Sequence, residues 1–437
     1  MTTQTPAPAT RPATAAAASD PRSLLLRHRD FTLLWCGEVA GKFGASVTGI
    51  AMPLTAITVL DAGTFEVGVL AAAAWLPWLL IGLPVGAWVD RWPRRPVMLA
   101  SAGFSTALFA AVPVLAHTGV LSIGVLLAAA FLGGVAAVFF QTAYTAYLPR
   151  ILAPEDQAEG NAKLHGSASA AQLAGRGAGG LVAHAAGTVN ALLVNSATFA
   201  ASAACLAAIR HREPARPRTP RPRGALAAEV REGLALVFRD PWLRTLTLFS
   251  TASNVALIGL QTLQVVFLVR TVGLDERTVG LLIATTGAGG IAGAFAARRA
   301  ATRLGTARAS LVFELGVGSL TLLTPLTTAG WGLVWFAAGG FATSAGVVAG
   351  NVVKVGFHQA YCPPALLGRV GASTAFLNYG IIPVGALLAG TLGTALGPRT
   401  AVWITAAGVP ATALILWFSP LRTVRDLPTR NPTPAHA

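Results

Sequence analysis

The chain has 437 residues, 54% of them hydrophobic and only 11% charged, with a mean hydropathy of +0.62. Soluble domains carry about 25% charged residues, so lipid rather than water is the main solvent for this chain. The net charge of +15 raises nucleic-acid binding, but the basic residues cluster between apolar runs rather than on one face, and that reading is set aside.

The first stretch, 1–28, is rich in Pro, Ala and Thr and lacks the basic start and apolar core of a signal peptide; a disordered cytoplasmic tail is expected. A membrane helix needs roughly 20 apolar residues to cross about 30 Å of hydrocarbon. Hydropathy then predicts spans at 31–60, 66–89, 96–117, 119–141, 165–186 and 189–210. Next comes 211–242, a Pro/Arg-rich linker followed by an amphipathic helix in which Leu226, Val230, Leu234 and Val237 recur at helical spacing. Six further spans are expected at 243–269, 277–297, 308–328, 330–353, 369–394 and 398–419, with a cytoplasmic tail over 421–437. The fold class expected is an all-α polytopic membrane protein with six helices in 29–210 and six in 243–420.

Most arginines fall in alternate loops, and the loops "AHTG", "HAAGTVN" and "TTAG" between them contain none. This bias predicts that the arginine-rich side and both termini are cytoplasmic, in the plasma (bacterial inner) membrane. The two groups of spans also repeat: "VGVLAAAAW" at 67–75 returns as "VGLLIATTG" at 279–287. The same offset pairs Arg91 with Arg303, but Asp90 with Thr302. Corresponding six-helix halves are the layout of a secondary transporter. The three cysteines have no paired or ligand-like spacing, and no metal cluster, phosphate loop or nucleophile elbow is present. No enzyme chemistry, metal or cofactor is therefore expected.

"GAWVDRWPRRPVML" concentrates charge in a short loop between two spans. It resembles the motif between the second and third helices of the major facilitator superfamily. "FTLLWCGEVAGKFG", "AYLPRILAPEDQAEGNAKLHGSASAAQLAG", "REGLALVFRDPWLR" and "LLGRVGASTAFLNYGIIPVGALLAG" are similar to one branch of it, the bacterial drug and siderophore exporters. The resemblance implies a cytoplasmic gate made by Gly86, Asp90, Arg91, Arg94 and Arg95, with Asp90 facing the start of helix 11 near Gly368–Gly371. It also implies proton-coupled export of small amphipathic molecules such as antibiotics or secondary metabolites, by a monomer through alternating access. A lysophospholipid flippase, an uptake symporter and a transport-inactive sensor or scaffold are the alternatives.

Charges inside a membrane are costly and so mark function. Glu38 and Lys42 stand one helical turn apart and can pair. Arg176 replaces the proline usual in relatives, in a glycine-rich run, and needs a carboxylate or an anionic substrate; Glu38 is the expected partner. Glu38, Lys42 and Arg176 are the proton-coupling candidates. Trp75, Trp78, Phe140, Gln141, Tyr144, Asn254, Gln261 and Asn378 are the expected lining of a substrate cavity.

Overall fold

The computed structural model describes residues 24–89, 91–211 and 225–429, and these are helical with no strand among them. The first six long helices are α1 (Arg29–Thr58), α2 (Thr64–Val89), α3 (Arg94–His117), α4 (Ile123–Ile151), α5 (Gln157–Ala186) and α6 (Leu192–Ala208). There follow α7 (Ala225–Arg239), α8 (Pro241–Val266), α9 (Glu276–Leu304), α10 (Thr306–Leu326) and α11 (Leu333–Tyr361). The last three are α12 (Pro364–Gly380), α13 (Ile382–Leu396) and α14 (Pro398–Trp417). Among the described residues, nine helical segments are long and apolar enough to cross a membrane. α1 and α5 fall outside that group because charged, polar and glycine residues lower their hydropathy, and α6 because it has only 17 residues.

Before residue 211, α1 packs on α5 and α6, α2 on α4, and α3 on α4 and α6. After residue 240, α9 packs on α11, α8 on α13 and α14, and α10 on α11 and α14. The two most extensive contacts joining these sets are α2 against α13 and α5 against α9. Glycines make both possible. A methyl on Gly68 would lie 2.8 Å from the Gly390 Cα, and one on Gly180 would lie 2.4 Å from the Gly280 Cα. Small residues of this kind let helix backbones approach closely where lipid supplies no hydrophobic drive.

Both crossings lie toward the arginine-poor end, and there the core is continuous. Ile57, Val67 and Leu70 belong to one buried cluster with Val266, Phe267, Val279 and Ile283. At the arginine-rich end the core divides. Phe31, Val89, Met98 and Tyr147 form one cluster, and Val237, Leu243, Tyr361 and Leu421 another. Among the described residues, the buried core shared by the two sets therefore lies toward the arginine-poor end.

Several expectations change. The polar stretches 142–164 and 354–369 lie between expected spans, yet α4 continues to Ile151, α5 begins at Gln157 and α11 runs to Tyr361. A helix satisfies its own backbone hydrogen bonds in water as in lipid, so it can outrun its apolar segment. The expected span 369–394 is broken at Ile381, because Pro383 cannot donate to the preceding turn and clashes with it.

The tails are shorter than expected. Leu24–Arg27 forms a helical turn with Leu24 fully buried, and Arg27 pairs with Asp156. At the other end Leu421 and Leu427 are buried, and Asp426 accepts from the Thr306 amide at 2.9 Å. Apolar residues in both stretches anchor them to the bundle; 1–23 and 430–437 lie outside the described residues. The amphipathic helix is present as α7, but it packs against α12 and buries Val237. Asp240 then caps α8, its Oδ1 accepting from the Trp242 and Leu243 amides at 2.9 Å each.

Candidate functional site

α1 positions the first charged pair. Its face toward α6 carries Gly37 and Gly44, against Ser202 and Thr198, and its face toward α5 carries Phe43, Ser46, Val47 and Ile50. Glu38 and Lys42 fall on the remaining side, toward α4. Glu38 is 6% exposed, and Lys42 Nζ lies 3.3 Å from its Oε1. The same ammonium donates to Gln141 Oε1 on α4 at 3.1 Å. Tyr144, one turn further along α4, is buried and stacks on Phe140 with ring centroids 6.5 Å apart.

Arg176 lies elsewhere. Gly175 meets the Phe43 carbonyl of α1, and Gly177 meets Ala284 of α9, so the intervening Arg176 projects between α1 and α9. The expected pair with Glu38 does not form: Glu38 is taken by Lys42, and among the described residues Arg176 has no hydrogen bond or ion pair. The reason is helical phase, since Glu38 is on the side of α1 turned away from α5.

Across the interior, α12 contributes Asn378 and Tyr379, one turn before the break at Ile381. Asn378 Oδ1 accepts from the Thr251 hydroxyl at 3.3 Å, and its carbonyl accepts from Asn254 Nδ2 at 3.2 Å. Tyr379 stacks on Trp75 at 6.0 Å and tilts over Trp78 at 5.2 Å, joining α12 to α2. Gln261 is exposed on α8. Tyr379 and Thr251 were not singled out in the sequence; Tyr379 adjoins Asn378, and Pro383 downstream was the available signal of a break there.

At the arginine-rich end Asp90 lies outside the described residues. Arg91 is exposed and Arg94 is 6% exposed. Arg95 closes the end of α6, donating from Nε to the Leu206 carbonyl at 2.9 Å and from a terminal nitrogen to Ala207 at 2.7 Å. A side chain on Gly86 would meet nothing within 4 Å.

At the arginine-poor end ion pairs accompany the glycine crossings. Arg270 donates to Asp61 at 2.8 Å, and His184 Nδ1 stands 4.0 Å from Asp275 and 3.9 Å from Glu276. Asp275 is held below the usual carboxylate range chiefly by the Thr278 hydroxyl, which donates to it at 2.6 Å. A second buried pair joins Glu314 of α10 to Lys354 of α11 at 3.4 Å, with the ammonium 4.9 Å from the Phe249 ring centroid.

Residues 34–379 match the Major Facilitator Superfamily. The chain is 28% identical over 377 residues to the multidrug efflux pump Tap of Mycolicibacterium fortuitum, covering 84% of this chain and 89% of that one. Its fold is similar to a variant of the nucleoside transporter NupG, with a TM-score of 0.74 at 10% identity, covering 89% of this chain and 99% of that one. It is also similar to a bacterial homologue of the iron transporter ferroportin in an inward-facing state, with a TM-score of 0.71 at 17% identity, covering 91% and 99%. A multi-span helical bundle whose two sets of helices meet at glycine crossings, with paired charges inside it, fits a membrane transporter. The chain belongs to the Major Facilitator Superfamily.

Proposed function

We propose that the chain is a proton-coupled exporter of small amphipathic molecules, built from twelve spans in two pseudo-symmetric halves and working by alternating access. The observation that carries this reading is the Glu38–Lys42 pair, buried in a bundle whose two sets of helices, among the described residues, share a buried core toward the arginine-poor end. Lys/Arg bias makes the arginine-rich end cytoplasmic, so on this reading the halves meet on the far side of the membrane and the substrate loads from the cytoplasm. Protonation of Glu38 would release Lys42 and alter the α1–α4 contact through Gln141, giving one titration a route to helix movement. Glu38, Lys42 and Arg176 are the coupling candidates, and the aromatic and amide groups around Asn378 and Tyr379 provide the apolar surface and few polar handles that suit amphipathic ligands. The relative described as a multidrug efflux pump supports export and a role in resistance. The loop from Gly86 to Arg95 is proposed as the cytoplasmic gate, with Arg95 fastening α3 to α6.

The test is accumulation of a panel of antibiotics and dyes in an efflux-deficient bacterium, with empty vector, wild type and Glu38→Gln, each with and without a protonophore. Wild type should lower accumulation, and both the protonophore and Glu38→Gln should abolish the effect. Export that survives the protonophore would overturn proton coupling, and equal accumulation with wild type and empty vector across the panel would overturn drug export.

A further inference from the structure

We propose that Arg176 binds an oxyanion, so that molecules carried by this chain present a carboxylate or phosphate group to α5. The proposal rests on the transporter reading above and adds to it the charge class of the ligand.

The direction in which Arg176 leaves α5 follows from its neighbours. On α5, Gly175 and Gly179 face α1, where methyl groups would stand 2.5 Å from the Phe43 carbonyl oxygen and 3.2 Å from the Ile50 Cβ. Gly177 and Gly180 face α9, against Ala284 and Gly280, and Leu173 reaches Gly287. At about 100° per residue, Arg176 points into the arc between these faces, on the side shared with Ala183, Ser169 and His165. Leu181, on the opposite side, is 42% exposed and faces outward. Along the interior side Ala183 is 3% exposed, whereas Ser169 and His165 are exposed. The interior is thus sealed beyond Arg176 and open before it, which places Arg176 near the closed end of the opening.

Among the described residues the charge there is uncompensated. Glu38 and Lys42 neutralise each other at 3.3 Å, and Glu314 and Lys354 do so at 3.4 Å on the other side of the bundle. Arg176 has no carboxylate, hydroxyl or carbonyl partner among the described residues. A charge at bilayer depth costs several kcal/mol unless it is paired, and arginine cannot discharge itself by losing its proton. Its planar fork matches the two oxygens of a carboxylate or phosphate. A ligand oxyanion supplies what the protein does not.

The test is equilibrium binding to the purified full-length chain, read by tryptophan fluorescence, with three probes: fusidate, an amphipathic carboxylate; lysophosphatidate, an amphipathic phosphate; and tetraphenylphosphonium, an amphipathic cation. Wild type should bind at least one oxyanion probe more tightly than the cation. Arg176→Gln should weaken that binding about tenfold or more, as loss of a charged hydrogen-bonded contact does, and leave the cation no weaker. Arg176→Lys keeps the charge without the fork and should recover part of the loss. A loss confined to lysophosphatidate assigns the site to lipid headgroups, and one confined to fusidate assigns it to soluble carboxylates. If Arg176→Gln cannot be purified, Arg176→Lys alone decides, by weakening the oxyanion and not the cation. Unchanged oxyanion affinity in the purified variants, preference of wild type for the cation, or no oxyanion binding at millimolar concentration would each overturn the proposal. No proton gradient enters this measurement, so it stands or falls separately from the accumulation test of export.

Discussion

Gly180 on α5 and Gly280 on α9 leave no room for a side chain between them: a methyl on either would lie 2.4 or 2.5 Å from the Cα of the other. Helix backbones cannot yield as a flexible side chain can, so a larger residue must push the two helices apart. Gly180→Leu should therefore disfavour closure of the arginine-poor end. Overpacking costs about 1–3 kcal/mol, which shifts a two-state population roughly 5- to 150-fold. Ala183, 3% exposed in the closed arrangement, reports the change. Placed as Ala183→Cys in a chain whose three native cysteines are serine, it should resist a membrane-impermeant thiol reagent and become labelled once Gly180→Leu is added.

The ion pairs beside this crossing give it a pH dependence. The Asp275 carboxyl is depressed, first by the Thr278 hydroxyl and, less strongly, by His184. A depressed carboxylate contributes stability that is present above its unfolded value and lost as pH falls through its folded value. The contribution of Asp275 should therefore be intact at neutral pH and fade only below about pH 4. Because the group is largely solvated, the effect is small. Thr278→Val removes the larger cause and brings the folded value toward the unfolded one, so the fall in melting temperature below about pH 4 should become smaller. A profile that does not move would show that the hydroxyl has no such influence.

Glu314 and Lys354 form a pair with side chains only 7% and 15% exposed, and Gly350 packs directly against the Glu314 carboxylate. Removing one partner strands the other in a dry site. Lys354→Met alone should cost about 3–5 kcal/mol, whereas Glu314→Gln combined with Lys354→Met should restore most of that loss. Thermal denaturation of the three proteins measures the coupling. Equal destabilisation by the single and double variants would mean the pair contributes nothing as a pair.

The Glu38–Lys42 pair should behave asymmetrically. Glu38 is 6% exposed and depends on Lys42, but the Lys42 side chain is 32% exposed and keeps Gln141 as a second partner. Lys42→Met should destabilise by about 1–3 kcal/mol, below the figure for a fully buried pair, and Glu38→Gln by less. Melting temperatures should rank wild type, Glu38→Gln, then Lys42→Met, and the reverse order of the two variants would refute this account.

Composition and hydropathy were enough to give the helical membrane architecture, because a spanning segment must satisfy its backbone within itself and so declares itself by length and hydropathy. The Glu38–Lys42 pair was legible for the same kind of reason: one helical turn is a local distance. The repeat at 67–75 and 279–287 was legible as a repeat, but its meaning was not. Its second residues, Gly68 and Gly280, are the points where α2 meets α13 and α9 meets α5.

What the tertiary structure alone decided is everything that depends on which side of a helix faces which neighbour. Arg176 and Glu38 could be matched by charge, but the phase of α1 and α5 keeps them apart. The pairing of Glu314 with Lys354, the stacking of Tyr379 on Trp75, and closure at the arginine-poor end join residues distant in sequence. No periodicity specifies such partners, because helix–helix contact in lipid is set by shape and polar pairing, not by the hydrophobic pattern that marks the helices themselves.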